Sequence, residues 1–365
     1  MNYIFFFVHP SKFHVFRNTI NHLIINGHHV EILITSKDVL ERLVKHEGWR
    51  YTNIFPEGRK IRNVPSYISA GLNTFRTIYR LYKHTKGKKF DLIITDDLLV
   101  YIGKLKNIPS IVFIDDDLKI VKQFAIILSV STHCLSPIIT DLGRYDTKKI
   151  GFNSFKELAY LHPNQFKPDN TVLVNFELKS KRYFIIRLVS LSAYHDVGVS
   201  GLDNDMVLEL IKILEKHGQV FITSERKLPK ELEKYRIRIH PKEMIHILAF
   251  ADIYIGDSQT MSSEAAILGV PSFCINDFAG KINVMVEKCE RYQSMHCYKT
   301  SEFSQLLKQL KILLLSDYHL LYKSRKDKMI SEKIDLTSFM IWLFENYPES
   351  VKKISKNPEY QYKFK

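Results

Sequence analysis

The sequence predicts an α/β protein of two Rossmann-like αβα domains whose mainly parallel sheets face each other across a cleft. Three observations predict it. Short apolar, β-branched runs alternate with helical stretches in both halves. A polar, proline-bounded stretch, His162–Asn170, separates the halves. The 365 residues suffice for two domains of ordinary size. The first domain is expected over 1–165 and the second, nucleotide-binding, over 166–340. Residues 341–365 form a C-terminal helix and basic tail expected to pack back on the first.

The elements follow in order. Strand Tyr3–Val8 leads into a loop, His9–His14, and then a helix from Val15 to Asn26 that Gly27 stops. Strand Val30–Thr35 follows. Strands Leu92–Thr95 and Ser110–Ile114 flank a helix, Leu98–Leu105, and this βαβ repetition implies a parallel sheet with right-handed crossovers. Beyond the linker, strands are expected at Tyr183–Arg187 and Val220–Thr223. Helices Asp205–Lys216 and Lys242–Ala251 carry apolar residues at three- and four-residue spacing. Ligands in such sheets sit at the carboxyl ends of strands.

Composition narrows the class. With 45% hydrophobic and 25% charged residues the chain can bury a large core. No apolar run approaches bilayer length. The apolar start Met1–Val8 lacks a basic leader and a cleavage site, so it reads as a buried strand. Cys134, Cys274, Cys289 and Cys297 show no C-x-x-C pairing, which points to a reducing cytoplasm and away from zinc. The net charge of +14 favours anionic partners, with basic density at Arg59, Lys60 and Arg62, at Lys83–Lys89, and in the tail from Lys352. No nucleic-acid-binding pattern accompanies it, so nucleic acid is not expected. Lysine bias of the genome explains the excess equally well.

The stretch Phe250–Asn276 (FADIYIGDSQTMSSEAAILGVPSFCIN) carries most functional information. Ile253–Ile255 reads as a strand and Gly256-Asp257-Ser258 as a break. Ser258 caps a helix, Gln259–Leu268, that ends at Gly269, and Ser272–Ile275 is a second strand. Such a unit offers backbone N–H groups and a helix dipole to an anion. Glu264, six residues past the cap, stands about 9 Å along the axis at ~1.5 Å per residue. That spacing suits phosphates at the cap and a ribose diol at the carboxylate; an ordinary capped helix with a solvated Glu reads the same residues blandly.

Asp257-Ser258 through Glu264-Ala265 and Leu268-Gly269-Val270-Pro271 resemble the D-S-G-G-x-Q-E-E-A-P-S-L-G-K-P signature of non-hydrolysing UDP-N-acetylglucosamine 2-epimerases, gapless over fifteen positions, with Gln259 and Thr260 in place of the two glycines. The signature belongs to the second domain of the GT-B fold. By this resemblance Ser258 holds phosphate and Glu264 the ribose, with Asp257, Gln259 and Thr260 beside them as substrate-binding residues. His14-Val15-Phe16 and Gly27-His28-His29-Val30 resemble the first βαβ of the lipid-linked N-acetylglucosamine transferase of peptidoglycan synthesis, with Lys12-Phe13 where that family has glycines. Phe152–Pro163, Asp252–Pro271, and Ile334–Thr337 up to Tyr347-Pro348 look like the domain of unknown function 354 family of the GT-B superfamily.

Candidate chemistry lies at strand ends. His14 can act as general base or simply bond backbone at a helix start, and His9 competes for the role. Asp96 and Asp97 follow one strand and Asp115, Asp116 and Asp117 the next. Clustered carboxylates suit proton transfer or a divalent cation, helix capping being the plain alternative. Asp115-x-Asp117 also fits the D-x-D metal motif of GT-A transferases. Arg187 and His195 follow the first strand of the second domain, where GT-B proteins cover the donor pyrophosphate. Ile237–His240 either reads the nucleotide base or is an ordinary buried strand.

The resemblances together imply a cytoplasmic, sugar-nucleotide-dependent glycosyltransferase of surface polysaccharide or glycan biosynthesis, using a UDP-sugar. Its base is His14 or an aspartate, Asp97 or Asp96, with Asp115 nearby. The expected partners are the sugar nucleotide, a glycan or lipid-linked acceptor, and the inner face of an anionic membrane touched peripherally. No cofactor or metal is expected, because GT-B catalysis stabilises the leaving diphosphate with helix N–H groups and here Arg187. A UDP-sugar 2-epimerase and a non-catalytic sugar-nucleotide-binding protein remain the competing readings.

Overall fold

The computed structural model describes residues 1–35, 39–59, 66–178, 181–190, 201–277 and 279–365. The chain divides into two compact units: Met1–Gln165 together with Lys333–Lys365, and Phe166–Glu332. The first division falls inside the segment expected as a linker. The second falls at 332/333, short of 340, because Ile334–Thr337 is bonded into the first unit.

In the first unit the described residues form one seven-stranded parallel sheet: β1 (Asn2–Phe7), β2 (His29–Ile34), β3 (Tyr51–Asn53), β4 (Leu92–Thr95), β5 (Ser110–Phe113), β6 (His133–Pro137) and β7 (Lys149–Phe152). Their order is β3-β2-β1-β4-β5-β6-β7. Tyr3 to Phe7 is fully buried, and a strand covered on both faces needs such an uninterrupted apolar run. The order reverses between β1 and β4, so His9 and Asp96-Asp97 emerge at the switch point. The expected loop His9–His14 is instead the start of helix Pro10–Ile25. Pro10 fits the first helical turn, where no N–H is needed, and the His9 ring accepts the Ser11 N–H as cap. His14 therefore projects from a second helical turn.

The C-terminal segment belongs to this unit. The Tyr3 hydroxyl donates to the Phe344 carbonyl at 3.1 Å. Ser154 Oγ donates to the Ile334 carbonyl at 2.7 Å and the Asn153 N–H to Gln361 Oε1 at 2.6 Å. Two motif segments 180 residues apart are thus one hydrogen-bonded structure. Helix Leu336–Glu345 packs against helix Pro10–Ile25.

The second unit carries β8 (Tyr183–Leu188), β9 (Gln219–Ser224), β10 (Ile253–Gly256), β11 (Ser272–Ile275) and β12 (Met295–Tyr298) in the order β12-β11-β10-β8-β9. All pairs are parallel. The switch point lies between β8 and β10. Ile237–His240 is not a buried strand. Only Arg236 bridges Ile222, and Arg238 and His240 are exposed, His240 capping helix Pro241–Ala249. The core joins Phe184, Ile186, Ile222 and Ile255 to Leu210, Leu306 and Leu310 of the covering helices.

Candidate functional site

In the second unit the sequence builds its site at the carboxyl ends of β8 and β10. Gly256 closes β10 because nothing larger fits. A Cβ there would stand 2.6 Å from the Tyr254 hydroxyl, 2.8 Å from the Arg187 carbonyl oxygen and 2.9 Å from Arg187 Cβ. Gly256→Ala is expected to lower stability by about 1–3 kcal/mol, since backbone atoms cannot yield as side chains do; thermal unfolding of the variant measures this.

Asp257 follows. Its Oδ1 accepts the Val189 N–H at 2.8 Å, and its carbonyl accepts the Asn276 side-chain amide at 3.3 Å. It is 2% exposed and its Oδ2 has no protein partner. Burial pushes its pKa up to about 6, against the opposing pull of the Val189 N–H and of Arg226. Asp257 thus ties the segment after β8 to the end of β10.

Ser258 caps the helix Gln259–Leu268, its Oγ accepting the Met261 N–H at 3.3 Å, and Gly269 ends it in the left-handed region at φ 85°. N–H groups of a first helical turn have no acceptor within the helix. Gln259, Thr260 and Glu264 are half-buried on this helix, while Ala265 and Ala266 are buried beneath it. Arg187 is engaged by Glu225, whose other carboxylate oxygen accepts the Ser190 N–H at 3.2 Å. The Glu225 carboxylate thus bridges the Arg187 guanidinium and the Ser190 N–H. His195 lies outside the described residues.

The first unit gathers a different set. Asp115 is clamped, its Oδ1 taking Lys12 Nζ at 3.0 Å and its Oδ2 Lys156 Nζ at 2.6 Å. Burial would raise its pKa, but the two lysines override burial and hold it well below the usual carboxylate range. Asp97 is equally committed: Oδ2 takes Arg59 at 3.0 Å and Oδ1 the Leu98 N–H at 2.6 Å. Asp117 accepts the Asp141 N–H at 2.8 Å. The D-x-D spacing thus presents one lysine-clamped carboxylate and one loop-holding carboxylate. Among the described residues no group of three or more His, Cys, Asp or Glu is arranged to hold a metal ion.

Asp96 differs from its neighbours. It is buried at the end of β4 and its Oδ1 has no protein partner. Burial pushes its pKa up to about 7, with Lys12 pulling down and Asp97 pushing further up. His14 packs its ring on Tyr160, centroids 5.4 Å apart. Burial and Arg17 lower it to about 4, which makes it a weak proton acceptor. Compared with His14 and the lysine-clamped Asp115, Asp96 has the proton affinity suited to base chemistry near neutral pH.

Two units of this architecture, each with a parallel sheet whose strand order reverses, have the layout of the GT-B fold. Solved structures agree on the fold. UDP-GlcNAc 2-epimerase from Neisseria meningitidis bound to UDP-GlcNAc is 13% identical, with TM-score 0.64 over 97% of this chain and 100% of that one. The glycotransferase of kitacinnamycin is 13% identical, with TM-score 0.59 over 94% and 98%. Acinetobacter baumannii MurG is 13% identical, with TM-score 0.58 over 94% and 99%. The chain belongs to the family described as protein of unknown function DUF354, whose model matches residues 7–346. No curated protein matches it.

Proposed function

We propose that the chain is a glycosyltransferase of glycan or surface-polysaccharide assembly that takes a UDP-sugar as donor. The second unit holds the donor, with the diphosphate at the Ser258 cap and the ribose at Glu264, and Asp257 fixing the segment beside them. The first unit supplies the base that takes a proton from the acceptor hydroxyl.

One observation carries the choice of transfer over isomerisation. Asp96 has an unpartnered buried oxygen and a pKa near 7, while Asp115 and Asp97 are held in ion pairs. Transfer needs one base. Epimerisation by elimination and re-addition needs a base and an acid about one carbon, and the ion-paired carboxylates cannot exchange protons readily. The epimerase reading keeps one support, the fifteen-residue match from Asp257 to Pro271.

Product analysis with UDP-sugars, with and without lipid-linked and glycan acceptors, tests both. Acceptor-dependent UDP release supports transfer, and a 2-epimer formed without acceptor supports isomerisation. UDP binding with no turnover in any arm leaves a binding protein. Turnover is expected to persist in EDTA, because leaving-group charge is met by helix N–H groups and Asp115 is already neutralised by Lys12 and Lys156. Activity lost in EDTA and restored by magnesium or manganese contradicts this.

The same reading places the acceptor at an anionic membrane surface touched by the first unit. On helix Ser66–Thr85, Leu72, Phe75, Tyr79 and Tyr82 recur at three- and four-residue spacing. Phe75 is 75% and Tyr79 66% exposed. Lys83 falls on the same face at 100° per residue and is exposed, as is Lys86 in the turn just past the helix. Aromatic side chains with a lysine on one exposed helical face, and a second just beyond its end, suit a headgroup layer. No helix among the described residues is long and apolar enough to cross a membrane. Of the basic residues named from sequence, Arg59 is committed to Asp97, Lys88 pairs with Glu31 at 2.6 Å, and Lys60 and Arg62 lie outside the described residues.

Co-sedimentation with anionic vesicles is expected to exceed that with neutral vesicles, to fall with salt, and to drop in Phe75→Ser/Tyr79→Ser. At physiological ionic strength the Debye length is only ~8 Å. Equal, salt-insensitive sedimentation removes the membrane from this account.

A further inference from the structure

Three of the four cysteines meet in the second unit. Cys289 lies in the last turn of helix Asn283–Glu290, and its Sγ stands 3.2 Å from the Sγ of Cys297 on β12. Cys274 on β11 is the register partner of Cys297. All are free thiols, and Cys289 and Cys297 are partly exposed while Cys274 is buried.

We propose that Cys289 and Cys297 form a dithiol that a peroxide closes to an intramolecular disulfide. A disulfide spans about 2.05 Å between sulfurs, so the two Sγ atoms need approach by only about 1 Å. Helix and strand are joined by a short chain segment, which keeps the pair together while either thiol reacts. The pair is also polarised. The hydrogen bond shared with Cys297, helped by Lys288, lowers the Cys289 pKa despite burial, while bonds with Cys274 and Cys289 raise that of Cys297. Cys289 is therefore the nucleophile.

The Cys289 thiolate attacks one oxygen of hydrogen peroxide. The O–O bond breaks, leaving a sulfenic acid and hydroxide. Cys297 sulfur then attacks the sulfenic sulfur. The S–S bond forms, and the hydroxyl leaves with the Cys297 proton as water. Two electrons pass from the thiols to peroxide, and a dithiol reductant reverses the change. Disulfides of reducing compartments are typically transient and redox-sensing, so this site is consistent with a cytoplasmic protein. It also borders the donor site. Asn276, which donates to the Asp257 carbonyl, lies 3.4 Å from Cys274 Sγ.

The test uses the full chain, reduced and then exposed to hydrogen peroxide, with thiol counting and peptide mapping. Of the 4 cysteines, two are expected to be lost as thiols, linked as Cys289–Cys297 and recovered with dithiothreitol. Cys297→Ser should stop at the sulfenic acid, trapped by dimedone on Cys289, and Cys289→Ser should form no intramolecular disulfide. If a variant fails to fold, the peptide map of the native chain decides alone. Four thiols surviving peroxide, a Cys274–Cys297 link, or disulfides only between molecules would overturn the proposal. UDP affinity, measured separately, does not enter that decision.

Discussion

Replacing Asp96 by asparagine is expected to lower turnover by about 10²–10⁴-fold, the range that a positioned general base supplies, with UDP affinity unchanged. The substitution keeps the shape of a buried side chain and removes only its ability to take a proton. The pH profile distinguishes a base from a structural role. With a pKa of about 7, Asp96 is protonated and inactive in acid. The rate of the native chain should rise with pH up to about 7 and level off above it.

Stability should run the other way. The folded protein holds this proton more tightly than the unfolded chain. The contribution is therefore fully present below pH 3.8 and is lost as pH rises through about 7. The interval corresponds to about 4 kcal/mol. Asp96→Asn lacks this dependence, so it should gain stability relative to the native chain as pH rises from 3.8 to about 7. A flat pH–rate profile in the native chain, or a variant with native turnover, would assign the proton to another group.

The unit running from Ile253 to Ile275 was legible in the sequence because each boundary has a local cause. Ser258 caps, Gly269 adopts a left-handed conformation, and the strands are apolar runs. The strand Leu92–Thr95 was legible for the same reason. Helix Ser66–Thr85 was not among the expected elements, although Leu72, Phe75, Tyr79 and Tyr82 recur there at helical spacing; only the fold shows that this stripe faces outward.

Local sequence also could not separate Asp96 from Asp97. Both follow β4, and only the fold turns one onto Arg59 and the Leu98 N–H while burying the other. The clamp on Asp115 is likewise a product of topology. It joins Lys12, from the helix after β1, and Lys156, from the segment after β7, to a carboxylate after β5. No spacing rule relates these positions. The same holds for Glu225, which reaches Arg187 across β8 and β9.

Glu264→Ala is expected to weaken UDP binding by roughly 10–150-fold, equivalent to the loss of one charged hydrogen bond at about 1.5–3 kcal/mol. The helix that carries Glu264 is anchored independently of it, by the Ser258 cap, the Gly269 stop and a 2.8 Å bond from Ser272 to the Ser262 carbonyl. The fold should therefore survive the change. Glu264→Gln keeps one acceptor and should fall between the native chain and the alanine variant.

Calorimetric titration of UDP into the native chain and into Glu264→Ala tests the central claim, that the second unit binds a nucleotide through the helix after β10. The account predicts measurable binding to the native chain and a loss of about tenfold or more in the variant, at unchanged melting temperature. No binding to the native chain, or equal affinity in the two proteins, would contradict it.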